Sequence, residues 1–276
     1  MLTLFYITND REIASIAEKN GIDRIWIDLE TLGKNERQKN MNTVKSNHSV
    51  SDIPKVKSVL TKSELLVRVN PWNEGSRREI DAVVNSGADM IMLPMWKSVS
   101  DVKNFLDCVN GRTKTTLLLE TKEAVDCIDE VLALDFDEIH IGLNDLHLSY
   151  GMDFLFEPLA TGLVDNLCMK FKKRGIPYGF GGIAKLGGGL IPSENIIMEH
   201  YRLGSTRTIL SRSFCDVKNI GDISKIESSF EENMKLIREF EHICESADSV
   251  TLEENHRKVI GLVNAVTHEI REKYNA

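Results

Sequence analysis

Short apolar runs alternate with longer amphipathic segments along most of this chain. The apolar runs predict eight β-strands, at Leu2–Ile7, Arg24–Leu29, Glu64–Val69, Asp89–Leu93, Leu117–Leu119, Ile139–Leu143, Pro177–Ile183 and Thr206–Leu210. Most of these runs are continuous, which is typical of strands buried on both faces of a parallel sheet. Because a helical pattern follows nearly every strand, we expect a closed (β/α)8 TIM barrel rather than an open sheet.

The helical segments show apolar residues at helical spacing, often with a glycine just after the last turn. They lie at Arg11–Lys19, Arg77–Asn85, Val99–Val109, Ala124–Leu134, Leu159–Arg174 and Ser193–Leu203. Between the second and third strands, Thr31–Pro54 is polar and long for a loop in a compact domain, which favours a functional loop or a polar helix there.

Two further amphipathic helices are predicted after the eighth strand, at Ile223–Cys244 and Leu252–Tyr274. A barrel needs only one helix at that point, so the additional apolar face must be buried against the barrel or against a second subunit. We therefore divide the chain into a barrel over residues 1–215 and a helical extension over residues 216–276. We expect the protein to be a homo-oligomer.

Composition narrows the classes of partner. The 276 residues are 42% hydrophobic, which suffices for the core of one large barrel. The formal net charge is −8 with scattered lysines and arginines, so neither nucleic acid nor an acidic membrane surface is an expected partner. No stretch reaches the roughly 18 apolar residues of a membrane span, and the N-terminus does not resemble a signal peptide. The five cysteines form no CxxC pair, which predicts reduced thiols and a cytoplasmic protein.

Two acids follow neighbouring strands of the predicted barrel. Glu120 comes directly after the fifth strand, and Asp145 follows the sixth after Asn144. Because ligands of such barrels bind at the carboxyl ends of the strands, we expect both carboxylates to face one space. They would repel each other unless a proton or a cation lay between them, and a hard divalent cation fits. Alternatively each acid caps the following helix, although Thr121 and Ser149 could supply those caps.

Arg68 interrupts the apolar third strand, where an unpaired guanidinium would be costly. It therefore requires an anion. One possibility is a substrate carboxylate bound in bidentate fashion. The other is an internal carboxylate, either Asp28 or Glu30 at the end of the second strand. The two possibilities do not exclude each other.

A divalent cation beside a fixed guanidinium is suited to binding an α-keto acid. The metal would take the carboxylate and the keto oxygen, while Arg68 would neutralise the oxyanion as an enolate forms. This arrangement supports cleavage or formation of a carbon–carbon bond through pyruvate enolate without a Schiff base. A lysine enamine would need a lysine inside the barrel, and the closest candidate, Lys185, lies beyond the glycine-rich exit of the seventh strand.

The motifs WIDLE, LLVRVNPW, GADMIMLPM, LLLET and IHIGLNDLHLSYG resemble the HpcH/HpaI aldolase and citrate lyase β-subunit family, of the phosphoenolpyruvate/pyruvate-type barrel superfamily. The resemblance covers roughly residues 2–214. It implies Mg²⁺ or Mn²⁺ at Glu120 and Asp145, with Arg68 on the pyruvate or enolate oxygen. It also implies trimers or hexamers that exchange C-terminal helices. The backbone groups that it places around the pocket belong to Pro94, Met95, Gly142 and Asn144.

The chain departs from this family's pattern after the second strand. The class II aldolases of the family have a histidine directly after the acid that ends this strand, whereas here Thr31 follows Glu30. The citrate and malyl-CoA lyase branch has basic residues further on, which Lys34 and Arg37 could match, but it has a second acid at the place of Thr31. The candidates for the proton donor are, in falling order, Glu30, Asp28, His147 and His48.

We therefore expect a divalent-metal-dependent carbon–carbon lyase or class II aldolase. Its substrates would be a 2-oxo acid and an aldehyde or acyl compound. One alternative is a lyase or transferase of the citrate lyase β type that uses phosphoenolpyruvate or acyl-CoA. Another is a non-catalytic barrel kept for assembly or ligand sensing.

Overall fold

The computed structural model describes residues 1–33 and 47–275. The strands in this part of the chain are β1 (Thr3–Ile7), β2 (Arg24–Asp28), β3 (Glu64–Arg68), β4 (Met90–Leu93), β5 (Lys114–Leu119), β6 (Glu138–Ile141), β7 (Tyr178–Ile183) and β8 (Arg207–Leu210). They form one closed barrel in chain order from β1 to β8. The prediction of a (β/α)8 barrel with additional C-terminal helices is confirmed.

The helices alternate with the strands and continue beyond β8. They are α1 (Arg11–Lys19), α2 (Asp52–Lys57), α3 (Ser76–Asn85), α4 (Val99–Val109), α5 (Lys122–Asp126), α6 (Ile128–Val131), α7 (Leu143–Ser149), α8 (Glu157–Ala160), α9 (Leu163–Arg174), α10 (Ser193–Leu203), α11 (Val217–Ile220), α12 (Ile223–Ser246) and α13 (Ser249–Asn275). Helices α1, α4 and α10 have the predicted bounds. Helices α2, α7 and α11 were not predicted, because each is too short for a periodic pattern to be recognised.

Three predicted elements are interrupted or cut short in the structure. The single helix predicted over Ala124–Leu134 is wrong, because Cys127, at φ −105° and ψ 12°, separates α5 from α6. The sixth strand does not reach Leu143, which instead begins α7. The helix predicted over Leu159–Arg174 is interrupted by Gly162, whose φ of 77° separates α8 from α9.

The chain divides into two compact units. The first unit is Tyr6–Ile139, and the second is Met1–Phe5 together with His140–Ala276. The first contains β2 to β5, and the second contains β7, β8 and the two long C-terminal helices. The division predicted from the sequence, with a barrel over 1–215 and an extension over 216–276, stays a prediction.

In the first unit, β2 and β3 carry charged residues at both ends and buried apolar residues between them. Their parallel register pairs Arg24 with Glu64 at the start and Asp28 with Arg68 at the end. At the start, Arg24 donates from Nη1 and Nη2 to Glu138 at 2.6 and 2.8 Å, and from Nε to Glu64 at 2.7 Å. These contacts compensate the positive charge of the buried Arg24 guanidinium. A separate set of charged residues lies at the carboxyl end of the same two strands.

In the second unit, the last helix is joined to α10 by buried polar contacts. The side chains of Asn195 and Asn255 are hydrogen-bonded at 2.6 Å. Glu199 is fully buried, and it accepts a hydrogen bond from Asn255 at 3.0 Å and lies 2.9 Å from His256 Nδ1. One face of α13 therefore packs within its own chain, while the predicted homo-oligomer stays a prediction.

Two features bear on the predictions made from composition. The five cysteines carry free thiols. Across residues 1–33 and 47–275, none of the helices combines the length and the apolar character that crossing a membrane would require.

Gly179→Ala is expected to destabilise the second unit. Gly179 pairs with Arg207 beside an irregularity in the β7–β8 ladder. An added methyl carbon would lie 2.2 Å from the Arg207 carbonyl oxygen. Because backbone would have to move, we expect the free energy of unfolding to fall by about 2–3 kcal/mol.

Gly261→Ala provides the control for this substitution. Gly261 lies inside α13 with open space where a methyl group would be added. Replacement there should raise the free energy of unfolding by up to about 1 kcal/mol through helix propensity. Urea unfolding followed by circular dichroism measures both variants, and effects of the same sign and size would contradict the assignment of Gly179.

Candidate active site

A buried ion pair joins the carboxyl ends of β2 and β3. Asp28 and Arg68 are direct partners in the ladder, so their side chains leave the sheet on the same face. Arg68 donates from Nε to Asp28 Oδ1 at 2.8 Å and from Nη2 to Asp28 Oδ2 at 2.9 Å. Its Nη2 also lies 3.2 Å from Glu30 Oε2. The possibility that Arg68 pairs with internal carboxylates is therefore confirmed, and its contact with a substrate stays a prediction.

These three side chains are largely shielded from water. The exposed fractions of their side chains are 12% for Arg68, 2% for Asp28 and 3% for Glu30. Burial alone would lower the pKa of Arg68, but Asp28 and then Glu30 more than offset it and raise that pKa above its ordinary value. The ring of Trp26, on the same face of β2, has its centroid 5.1 Å from the guanidinium carbon of Arg68 and adds a cation–π contact.

Glu120 lies close to this pair in the first unit. It follows β5 directly, is 2% exposed, and contributes to the raised pKa of Arg68. Its Oε1 accepts the backbone N–H of Met95 at 3.0 Å. Met95 has a φ of 51°, a left-handed conformation that costs a residue other than glycine about 1 kcal/mol or more. Because this strain lies directly beside Glu120, we interpret it as part of the site.

Helix α5 is capped by the residue after Glu120. The hydroxyl of Thr121 accepts the N–H of Ala124 at 3.1 Å and donates to the carbonyl of Trp96 at 2.9 Å. The alternative that Glu120 serves as the cap of the following helix is therefore wrong.

Carboxylate oxygens gather around Arg68. Asp28 and Glu30 pair with its guanidinium, and the buried Glu120 contributes to its raised pKa. Carboxylate oxygens are the ligands that a hard divalent cation prefers. Among the described residues, no group of three or more His, Cys, Asp or Glu side chains is arranged so that it could hold a metal ion. The predicted pair of Glu120 and Asp145 is smaller than such a group, and its metal binding stays a prediction.

Asn70 fixes the loop that follows β2. Its Oδ1 accepts the backbone N–H groups of Thr31 and Leu32, both at 2.9 Å, and the Thr31 hydroxyl at 3.3 Å. Its Nδ2 donates to Glu79 Oε1 at 2.7 Å. Thr31 is exposed, and its hydroxyl is directed at Asn70. The place of the family histidine is therefore occupied by a residue that helps to shape the loop.

The remaining predicted site residues belong to the second unit. Asp145 lies in the first turn of α7, whose N-cap residue is Gly142. Asn144 and Asp145 are half-buried. His147 is buried, and its Nδ1 lies 3.2 Å from the carbonyl oxygen of Leu143. Burial lowers the pKa of His147, which makes it a weaker candidate for the proton donor.

The sequence predicted that Arg68 pairs with an acid of the second strand but not that Trp26 packs on its guanidinium. Trp26 could have been found, because it lies two residues before Asp28 and so on the same face of the strand. Lys34 and Arg37, the possible matches to the basic residues of the lyase branch, lie outside the described residues.

Asn70→Asp is expected to destabilise the protein in a pH-dependent way. Burial raises the pKa of Glu79, and the new carboxylate would lie against it. At pH 7 the free energy of unfolding should fall by about 2 kcal/mol. Both acids would have raised pKa values in the folded state, so the variant loses stability as the pH rises. Its difference in free energy of unfolding from the natural protein should therefore shrink toward pH 4.5.

The exposed helical residue Asn104 offers the control for this charge change. Asn104→Asp should alter the free energy of unfolding by less than about 0.5 kcal/mol at either pH. Urea unfolding at pH 7 and pH 5 measures both variants. A loss in Asn70→Asp that is equally large at both values would show that repulsion from Glu79 is not its cause.

Two solved structures share this fold. The HpcH/HpaI aldolase from Desulfitobacterium hafniense DCB-2 aligns with a TM-score of 0.58 at 17% sequence identity, over 86% of this chain and 93% of that chain. RipC from Yersinia pestis aligns with a TM-score of 0.55 at 18% identity, over 83% of this chain and 95% of that chain. At such identities the likeness shows the fold alone. A search of curated proteins gives no match.

The sequence itself provides the evidence for a family. The HpcH/HpaI aldolase/citrate lyase profile matches residues 1–154, more than half of the 276 residues. The matched segment contains the predicted site residues described above, from Asp28 to Asp145. The chain therefore belongs to the HpcH/HpaI aldolase/citrate lyase family.

Proposed function

We propose that this protein is a divalent-metal-dependent carbon–carbon lyase or aldolase that acts on a 2-oxo acid through a pyruvate enolate. Members of its family are typically lyases and aldolases, which supports an enzyme. The observation that carries the finer proposal is the buried cluster in which Arg68 is held by Asp28 and Glu30 beside Glu120.

Arg68 has hydrogen-bond donors available for an anion. A guanidinium carries five N–H groups, and the contacts to Asp28 and Glu30 engage those on Nε and Nη2. Nη1 makes no hydrogen bond to the described residues. We propose that Nη1 donates to the oxygen that becomes negative as the enolate forms. Because the guanidinium is already oriented, this stabilisation requires little rearrangement during the reaction.

We propose that Glu120 and Asp145 hold Mg²⁺ or Mn²⁺. The family generally uses a divalent metal, and carboxylate oxygens are the ligands that such a cation prefers. When bound, such an ion would polarise the keto group of the substrate as a Lewis acid. Each carboxylate comes just after a barrel strand, Glu120 after β5 and Asp145 within the first turn after β6.

The other proposed roles follow from the places of the residues. Glu30 is the proposed proton carrier for the hydroxyl of the second substrate, because it lies two residues beyond β2 and touches Arg68. Asp28 fixes Arg68. The second substrate would be an aldehyde or acyl compound, and we place the protein in the cytoplasm as a homo-oligomer. The backbone groups proposed to line the pocket belong to Pro94, Met95, Gly142 and Asn144.

The proposal predicts metal-dependent enolisation of a 2-oxo acid. With Mg²⁺ or Mn²⁺, the protein should exchange the methyl protons of pyruvate with solvent deuterium, and EDTA should abolish the exchange. Glu120→Gln, Asp145→Asn and Arg68→Met should each lower the rate by about 100-fold or more. The reaction is followed by ¹H NMR without any coenzyme.

Glu123→Gln is the matched control, since Glu123 is an exposed acid in α5 that pairs with Lys97. It should leave the exchange rate within about twofold, because surface ion pairs contribute little. Metal-dependent exchange that persists in Glu120→Gln or Asp145→Asn would exclude these residues as ligands. Exchange that requires an acyl-CoA would favour the lyase or transferase alternative, and metal binding without exchange of any 2-oxo acid would favour the non-catalytic barrel.

A further inference from the structure

His48 contacts the residue that holds Arg68. It is the one histidine in the sequence of the first unit, Tyr6–Ile139. Its Nδ1 lies 3.0 Å from the backbone nitrogen of Asp28. A backbone amide can only donate, so Nδ1 is the acceptor, and a neutral His48 carries its proton on Nε2. The contact therefore determines the tautomer of the ring.

The imidazole meets β2 where β1 has ended. The N–H of Thr8 donates to the carbonyl of Trp26 at 3.1 Å, just after the last residue of β1. Asp28 lies two residues after Trp26, so its N–H points toward the same edge of β2. Strand β1 has ended before it could pair with Asp28, the last residue of β2. His48 thus supplies the acceptor for the Asp28 N–H on that side.

The segment around His48 is itself fixed. The backbone N–H and the hydroxyl of Ser49 donate to Asp52 Oδ2 at 2.9 and 3.1 Å. Asn9 Nδ2 donates to the same oxygen at 3.0 Å. These hydrogen bonds hold the pKa of Asp52 at about 2, even though burial acts to raise it. His48 is therefore presented to Asp28 from an ordered turn that begins α2.

Asp28 is held at its backbone and at its side chain. His48 accepts its N–H, while its Oδ1 accepts the N–H of Glu30 at 3.2 Å and the Nε–H of Arg68 at 2.8 Å. We propose that His48 is a positioning residue of the active site. Its imidazole fixes Asp28, and through Asp28 it sets the direction in which Arg68 presents Nη1. The part of this inference that concerns a substrate anion rests on the proposed function.

The same geometry argues against a direct role of His48 in proton transfer. In the neutral ring Nδ1 is engaged by Asp28 and Nε2 already carries a proton. The ring can take up a second proton only at Nδ1, which would break the contact to Asp28. His48 therefore acts through Asp28, and Glu30 keeps its proposed role as proton carrier.

Two variants of His48 separate positioning from other roles. His48→Asn keeps a side-chain oxygen that can accept the Asp28 N–H but lacks the Nε2 donor of the ring. His48→Ala removes both. The first readout is the hydrogen-exchange rate of the Arg68 Nε–H in the free protein, measured by ¹⁵N NMR. The second is the affinity for oxalate, a planar dicarboxylate, in the presence of Mg²⁺.

His48→Ala should speed exchange at Arg68 about tenfold or more and weaken oxalate binding about tenfold, because the Asp28 N–H loses its acceptor. For His48→Asn, the exchange rate at Arg68 and the affinity for oxalate should both stay within about threefold of the values for the natural protein. Unchanged Arg68 exchange in His48→Ala, or a His48→Asn variant as impaired as His48→Ala, would overturn the proposal. If the natural protein fails to bind oxalate, the proposed function fails, while exchange at Arg68 still decides the role of His48.

Discussion

The ion pair of Asp28 and Arg68 is the constraint on which the site depends. A buried ion pair often contributes no more to stability than apolar residues of similar size, yet removal of one member destabilises a protein by about 3–5 kcal/mol. The β2–β3 register places the two residues opposite each other. A slip of one residue would send one side chain to the other face of the sheet and separate the charges. The register of this strand pair and the geometry of the site are therefore determined together.

The two ends of the β2–β3 pair differ in the side chains that gather there. At the starting end, Arg24 and Lys114 pair with Glu64 and Glu138. At the carboxyl end, Arg68 pairs with Asp28 and Glu30, and Glu120 contributes to its raised pKa. Carboxylate oxygens are the ligands that a hard cation prefers, so the carboxyl end is the one that fits the proposed metal.

The sequence was sufficient for the barrel and for the pairing of Arg68 with acids of the second strand, because both depend on local patterns. Continuous apolar runs predict buried parallel strands, and the charged Arg68 stands out within one of them. The break at Cys127 and the left-handed Met95 could not be predicted in this way, because neither residue type favours those conformations. The contact of His48 with Asp28 joins residues 20 positions apart, and no periodicity connects them. Such features depend on how the loops return to the strand ends.

Likeness of fold cannot by itself explain why this cluster is present. The solved structures that share the barrel are only 17% and 18% identical to this chain, and barrels of this kind support many unrelated reactions. Stability alone would often favour apolar residues at the ends of β2, β3 and β5, since the cost of removing charges from water can exceed what their pairing returns. The strained Met95, directly beside Glu120, adds a further cost at the same place. Buried charged groups and backbone strain commonly occur together at functional sites in proteins. This cluster is therefore the part of the first unit in which the proposed chemistry is best tested.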